Sequence, residues 1–386
     1  MGMLRFLVLA VSIVGAMGSD ALAQPEVLRG SETHTFAPET AAAHVVTLDW
    51  GQSQTTITRL GNWIREDSTL RDRQGREPDR QVITFTDVAA GRSFFIHRDE
   101  VGVRYLLIRG PETNGFYVST RERTGETGMG LGETCAIWNM VTTTRNSSSP
   151  PERQQHCITS DGITLWTRRQ DRASGQFVQG MTAVSLERRQ VAADFVRPPS
   201  ELFNWGYWMR IAGDTNPTSA ASDYEVRLEA DDKLDARVTR RIIRRHRQWT
   251  YTENTFANGG RGFDIRNDKL SLSYGTGIQD SSRLLQIAVA READIARMAA
   301  VAPAYAPVPL SHPTQRVVGQ RCRWFNMSPG LHDAFTNWCR TEDGIPLWIN
   351  EGGWGSVASF KATRMSRRRL FDSDIAPPRA VFDWPR

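Results

Sequence analysis

Lysine is almost missing from this chain. Only Lys233, Lys269 and Lys361 stand among 48 basic residues, and the rest are arginine. A bias of that size follows the base composition of coding DNA, so the arginines alone do not point to a polyanionic partner. The formal charge is only +5, and in an exported chain that argues against nucleic acid as a partner. No segment approaches the roughly 20 consecutive apolar residues of a membrane-crossing helix, so no transmembrane anchor is expected. Also missing are G-x-S-x-G, H-E-x-x-H, S-x-x-K and any glycine-rich phosphate loop. The seven histidines are scattered. A triad assembled in space needs no motif, but no catalytic residue, metal ligand or cofactor can be nominated, and an envelope hydrolase is the least favoured reading.

What is present begins at the N-terminus. Arg5 precedes an apolar run from Phe6 to Met17, and Ala21-Leu22-Ala23 then offers a small-x-small cleavage site, the layout of a secretory signal over 1–23. No cysteine follows Ala23 to carry a lipid. The mature chain is expected in the periplasm or beyond, and it exceeds what most single cores use, so two domains are the prior.

The chain repeats itself. "GETCAIWNM" at 132–140 returns as "GQRCRWFNM" at 319–327, "HCITSDGITLW" at 156–166 as "WCRTEDGIPLW" at 338–348, and "PPSELFNW" at 198–205 as "PPRAVFDW" at 377–384. Trp63 matches Trp249 in the same order. Collinear landmarks at a nearly constant offset indicate an internal duplication. After a segment at 24–43, a first unit is expected over 44–205, a linker over 206–222 and a second unit over 223–386. The stretch "AGDTNPTSAASD" supplies the small and breaking residues of that linker.

Short alternating runs dominate both units. "QVITFTDV", "RSFFIH", "VRYLLI", "GITLWTR" and "FVQGMTAVSL" have the length and β-branched content of strands. Asp161-Gly162 and Asp343-Gly344 are expected at tight primed hairpin turns. The stretch 281–300 carries an apolar stripe of helical period through Leu284, Leu285, Ala288 and Ile295, which predicts a helix. The fold class is mainly β (α+β), each unit a curved antiparallel sheet or half-open barrel with few helices.

Four cysteines allow three pairings, but the duplication gives each unit its own pair, Cys135 with Cys157 and Cys322 with Cys339. Zinc ligands would ordinarily stand two to four residues apart, and a nucleophile would not be duplicated beside a second cysteine. Structural disulfides fit an oxidising compartment, each adding about 3 kcal/mol in the chain-entropy model. Trp138 or Phe325 is expected to pack beside its disulfide.

The pattern formed by Gly132, Cys135, Trp138, Cys157, Asp161, Gly162, Ile163 and Leu165, repeated by Gly319, Cys322, Phe325, Cys339, Asp343, Gly344, Ile345 and Leu347, resembles exported β-rich domains related to the periplasmic lipoprotein-carrier (LolA/LolB-like) superfamily. The resemblance covers the last third of each unit. It implies a curved antiparallel sheet forming a half-open barrel over short helices, with an apolar cavity that receives acyl chains, and it assigns no binding residue.

Two features remain for function. Twelve tryptophans include the recurring pairs Trp63/Trp249, Trp166/Trp348 and Trp205/Trp384, which serve either a shared core or an aromatic wall around an apolar ligand. The segment "RVTRRIIRRHRQW" at 237–249 holds Arg240, Arg241, Arg244, Arg245 and Arg247, and only Arg245 has an arginine counterpart, Arg59. It suits either a solvated or salt-bridged edge strand that resists pairing or contact with anionic headgroups, phosphorylated glycolipid or an acidic protein. The expected function is non-catalytic binding of a lipid or other apolar envelope component. The alternative is an envelope scaffold docking through the arginine strand.

Overall fold

A computed structural model describes residues 43–50, 53–70, 80–99, 102–109, 117–144, 150–212, 223–231, 237–276, 283–291, 295–296, 300, 306–329, 334–353 and 356–383. The expected signal segment, most of the expected linker and Trp384 lie outside them. The protein is mostly β, and contacts divide it into two compact units, one ending at Ser200 and one beginning at Glu201.

Among the described residues the first unit holds eleven strands: β1 (His44–Asp49), β2 (Gln54–Leu60), β3 (Trp63–Leu70), β4 (Arg80–Asp87), β5 (Arg92–Arg98), β6 (Val103–Arg109), β7 (Tyr117–Gly130), β8 (Glu133–Thr144), β9 (Glu152–Ile158), β10 (Thr164–Gln170) and β11 (Phe177–Glu187). Every pairing is antiparallel. β1 lies between β2 and β11, which gives the order β6-β5-β4-β3-β2-β1-β11-β10-β9-β8-β7. Alternation decides what is buried: Val46 and Leu48 of β1 share a face with Ile57 and Ile64, and these close a core with Cys135, Cys157, Leu165, Trp166 and Met181.

The second unit holds β12 (Tyr224–Ala230), β13 (Val238–His246), β14 (Trp249–Phe256), β15 (Arg261–Arg266), β16 (Leu270–Thr276), β17 (Arg283–Val289), β18 (Val308–Pro309), β19 (Gln315–Val317), β20 (Gln320–Asn326), β21 (Ala334–Arg340), β22 (Pro346–Gly353) and β23 (Ser356–Ser366). Its opening strand, β12, likewise lies between the next strand, β13, and the last, β23. The order runs β17-β16-β15-β14-β13-β12-β23-β22-β21-β20, with the short β18 and β19 both on β20. Tyr224, Val226 and Leu228 build its core with Ile243, Cys322, Trp324, Cys339, Leu347 and Phe360.

Among the described residues, two α-helices accompany the strands, one between the units' strands and one after the last. α1 (Trp205–Ala212) is started by the Asn204 side chain, whose Oδ1 accepts the Gly206 N–H at 2.8 Å. It lies against β16 and β17 and buries Trp208, whose Nε1 donates to the Leu202 carbonyl at 2.9 Å. It occupies the start of the segment expected as linker. α2 (Asp372–Ile375) lies on β13 and β14.

Four expectations are corrected. Residues 283–289 of the predicted helix form β17, paired with β16 throughout. Leu285, Ile287 and Val289 alternate inward there, and the helical stripe arose because so many neighbours are apolar. Beyond β17, the described residues 295, 296 and 300 are helical, the Ile295 N–H donating to the Arg291 carbonyl, while 281–282, 292–294 and 297–299 of the predicted helix lie outside the described residues. The Asp-Gly sites are not two-residue primed turns but three-residue loops. In the first, Gly162 N–H donates to Thr159 and Thr159 N–H to Ile163; Gly344, Thr341 and Ile345 repeat this. Gly162 and Gly344 take φ of 84° and 83°, the left-handed residue that follows a type I turn in such loops. The arginine strand is not an edge, since β13 pairs with both β12 and β14. Trp138 and Phe325 face away from the disulfides, because each is one residue out of phase with its unit's cysteines: Trp138 pairs with His156 and Phe325 with Trp338. Trp166 and Trp324 share the disulfide cores instead.

Candidate binding cleft and the arginine strand

In the first unit, the β2–β3 hairpin ends in the register pair Leu60–Trp63. A single 3-10 turn, Ala193–Val196, lies on both strands and buries Val196. Arg65 holds that turn: its Nη1 donates to the Phe195 carbonyl at 3.1 Å, and its guanidinium sits 4.0 Å from the Phe195 ring centroid. Between the hairpin and the turn opens a cleft of about 390 Å³ lined by Leu60, Gly61, Asn62, Trp63, Asp87, Ala193, Val196 and Arg197. That volume lies within the range of small-molecule clefts. Trp63 is half-buried, stacked against Phe94 at 6.0 Å, and Arg197 stands over its ring at 5.9 Å.

The corresponding hairpin of the second unit, β13–β14, ends in the register pair His246–Trp249. Here Trp249 is only 5% exposed and meets Trp205 of α1 edge-on at 5.8 Å. His246 Nδ1 lies 3.0 Å from Asp223 and its Nε2 3.2 Å from Asp372 at the start of α2, while Arg247 approaches Asp372 at 3.8 Å. The Leu370 N–H also donates to Asp223 at 2.7 Å. The α2 segment is therefore held by polar contacts where the first unit keeps open space.

The five arginines named from sequence do not act as one patch. Arg241 points to the core face beside Leu228 and Ile243. It forms a bidentate pair with Glu351 at 2.8 and 3.0 Å, donates to Asn254 at 2.8 Å and lies 4.3 Å from the Phe360 centroid. Arg244, on the opposite face, donates to Glu225 at 2.8 Å and to the Asp374 carbonyl at 3.2 Å, so Glu225 stays well ionised despite burial that opposes it. Arg245 is half-buried, and its Nε has no hydrogen-bond partner among the described residues. Arg240 is exposed, and Arg247 reaches Asp372.

The disulfides form as expected. Cys135–Cys157 and Cys322–Cys339 join strands with Cα atoms 5.3 and 5.2 Å apart. Beside each stands a polar lock that sequence reading missed. Arg188 donates to Asp161 at 2.6 Å and to Glu133 at 2.7 Å, and Thr159 Oγ1 also donates to Asp161. Arg367 likewise joins Asp343 at 2.9 Å and Gln320 at 3.4 Å, with Thr341 in the place of Thr159. The Arg188 bond holds the Asp161 carboxyl down at about 2. A signal for it lies in the sequence: each arginine directly follows its unit's last strand, while the Asp-Gly pair by itself reads as a turn.

Glu66 and His156 are buried away from the cleft. Burial pushes Glu66 up to about 8 and His156 down to about 4. Glu66 pairs across the sheet with Ile57 and Thr84, within the core, so a substrate could not reach it.

No protein-family model matches the chain. No curated protein matches it either. Among solved structures, the chain is similar to MucB as seen in a crystal structure, at 11% identity and a TM-score of 0.20, over 71% of this chain and 97% of that one. So loose a superposition carries no argument about what this chain does.

Proposed function

We propose that this is an exported, non-catalytic binding protein made of two copies of one unit, and that the first copy takes a lipid or another apolar envelope component in the cleft beside Trp63. The duplication is supported by the recurring phrases and by the shared strand order, in which each unit's first strand lies between its second and its last. Residence outside the cytoplasm is supported by the two disulfides and by the signal-like N-terminus. The LolA/LolB-like reading rests on the cysteine pattern and agrees with open antiparallel sheets.

One observation carries the binding reading: equivalent tryptophans have unequal surroundings. Trp249 is sealed by Trp205, whereas Trp63 keeps part of its indole on an open cleft. A half-buried indole with apolar neighbours is a surface on which an apolar ligand gains burial. Titration of the purified chain with an environment-sensitive acyl probe tests this, together with mass spectrometry of copurifying lipid. Trp63→Ala is expected to weaken probe binding about tenfold. No copurifying lipid and no probe shift would remove the reading.

The second reading, docking of an anionic headgroup or acidic protein on the arginine strand, is favoured by the exposure of Arg240 and the partial exposure of Arg247. Arg241 and Arg244 are already committed to Glu351 and Glu225. Reversal of Arg240 and Arg247 to Glu should therefore weaken capture of an anionic vesicle, and unchanged capture counts against this role.

A further inference from the structure

The Trp63 cleft carries one charge that its own unit leaves unbalanced. Arg197 is exposed at the rim, its guanidinium over the Trp63 ring, and no acid pairs with it among the described residues. The one acid in the lining, Asp87, is already satisfied: it accepts Arg92 Nη2 at 2.9 Å and the Ala90 N–H at 3.1 Å. The remaining walls are Leu60, Ala193 and Val196, with the Asn62 amide at the hairpin tip.

The second unit shows what can fill such a place. By the offsets of the duplicated phrases, Leu60 corresponds to His246, Gly61 to Arg247, Ala193 to Asp372 and Val196 to Ile375. The local structure agrees, since Ala193–Val196 lies on β2 and β3 as Asp372–Ile375 lies on β13 and β14. In the second unit a carboxylate of the chain itself, Asp372, occupies this position and meets His246 and Arg247. In the first unit that carboxylate is replaced by a methyl group and the hairpin position by glycine, and the cleft is what remains. The cation has moved to Arg197, where the second unit has Ala376.

We infer that the first unit's cleft takes a ligand with a single anionic head, a carboxylate or a phosphate, on a short apolar body. Arg197 is the counter-charge and Trp63 the apolar wall, while the second unit's equivalent place is closed by its own Asp372. This rests on the binding reading above and adds to it the charge of the ligand. An anion beside a guanidinium that lies on an aromatic face gains a charge-assisted bond from a planar donor already held in position. A cationic amphiphile would meet Arg197 as a like charge.

The test uses four probes with the same decyl chain, each below its micelle concentration: decanoate, decyl phosphate, decanol and decyltrimethylammonium. Binding is followed by tryptophan fluorescence and calorimetry on the full chain. The two anions are expected to bind about tenfold more tightly than decanol, and the cation more weakly than decanol. Arg197→Gln, on an exposed side chain, is expected to keep decanol binding and lose the preference for anions. Decanoate and decyl phosphate compared directly distinguish a fatty-acid head from a phospholipid-type head. The triple change Leu60→His, Gly61→Arg, Ala193→Asp copies the second unit's charge cluster and is expected to abolish binding of all four; Arg247 has φ of 53°, so this turn position admits a side chain. Equal binding of decanol and decanoate, or an anion preference that survives Arg197→Gln, overturns the inference while leaving apolar binding intact. Absence of binding by every probe overturns both.

Discussion

Arg241 and Glu351 face each other as a bidentate pair on the core side of the second unit's sheet, 110 residues apart in the chain. The side chains are 9% and 26% exposed, so the pair lies between the surface and the fully buried case. In the duplicated frame Arg241 stands where the first unit has Thr55, and Glu351 where it has Arg169. The first unit's Thr55 instead bonds Ser68 at 2.8 Å, in the place of Arg241 with Asn254. The cation and its acid therefore belong to one exchange within the second unit.

Glu351→Ala should destabilise the second unit by about 2 kcal/mol, between the values for exposed and buried pairs, because it strands a guanidinium among Leu228, Phe360 and Asn254. Replacing both partners, Arg241→Met with Glu351→Leu, should cost less than the single change. Urea melts of Arg241→Met, of Glu351→Leu and of the double variant complete the double-mutant cycle; an additive result would show that the pair contributes nothing as a pair.

The disulfides should contribute separately to their own units. Cys322→Ala with Cys339→Ala should remove about 3 kcal/mol by the chain-entropy model, apart from any packing loss. Limited proteolysis should then cut the second unit first, and the first unit should stay resistant. Equal loss of protection in both would contradict independent stapling.

Stability of the first unit should fall above neutral pH. Glu66 is raised from 4.5 to about 8, so the folded state holds a proton that the unfolded chain releases, and stability declines as pH climbs through that window. His156 is lowered from 6.5 to about 4, which gives the opposite slope as pH rises between those values. The two slopes oppose each other between 4.5 and 6.5, leaving the Glu66 decline visible from 6.5 to 8. Thermal melts of the wild-type chain and Glu66→Gln across pH 6 to 9 check this; the substitution should flatten the upper decline, and a persistent decline would assign it elsewhere.

The Arg188 lock acts at the acid end. Asp161 is depressed from 3.8 to about 2 chiefly by its bond to Arg188, so its contribution is complete above 3.8 and disappears as pH falls through 2. Arg188→Gln should lower the first unit's stability above pH 3.8 and flatten the loss between 3.8 and about 2, so that the two curves converge in acid. If its acid melting curve overlays that of the wild type, the lock is ornamental to stability.

Strand content was legible wherever the apolar pattern had period two: the five segments named from sequence coincide with β4, β5, β6, β10 and β11. The pattern misled at 283–289, where Leu284, Leu285, Ile287 and Ala288 are apolar on both phases, so neither a strand nor a helical period stands out. The cysteine pairing followed from the duplication, which assigns two to each unit. The neighbours of Arg241 did not, because Glu351 lies on β22, and only the strand order brings it opposite β13. The cleft was equally illegible: Trp63 was marked by recurrence, but its vacancy depends on small residues at Gly61 and Ala193, which carry no chemical signal of their own.

The position of β1 between β2 and β11 also governs the order of events in folding. Val45 is paired with Glu187, and in the second unit Glu225 is paired with Ser366, so each sheet has a seam that only its last strand can complete. Such long-range pairing is slow, since the loop must close before the contact repays it. A chain threaded N-terminus first through a membrane pore would stay unfolded in each half until that half had almost fully emerged. The hairpins that carry the cysteines, closing loops of 22 and 17 residues, could meet an oxidant before the seam is sealed.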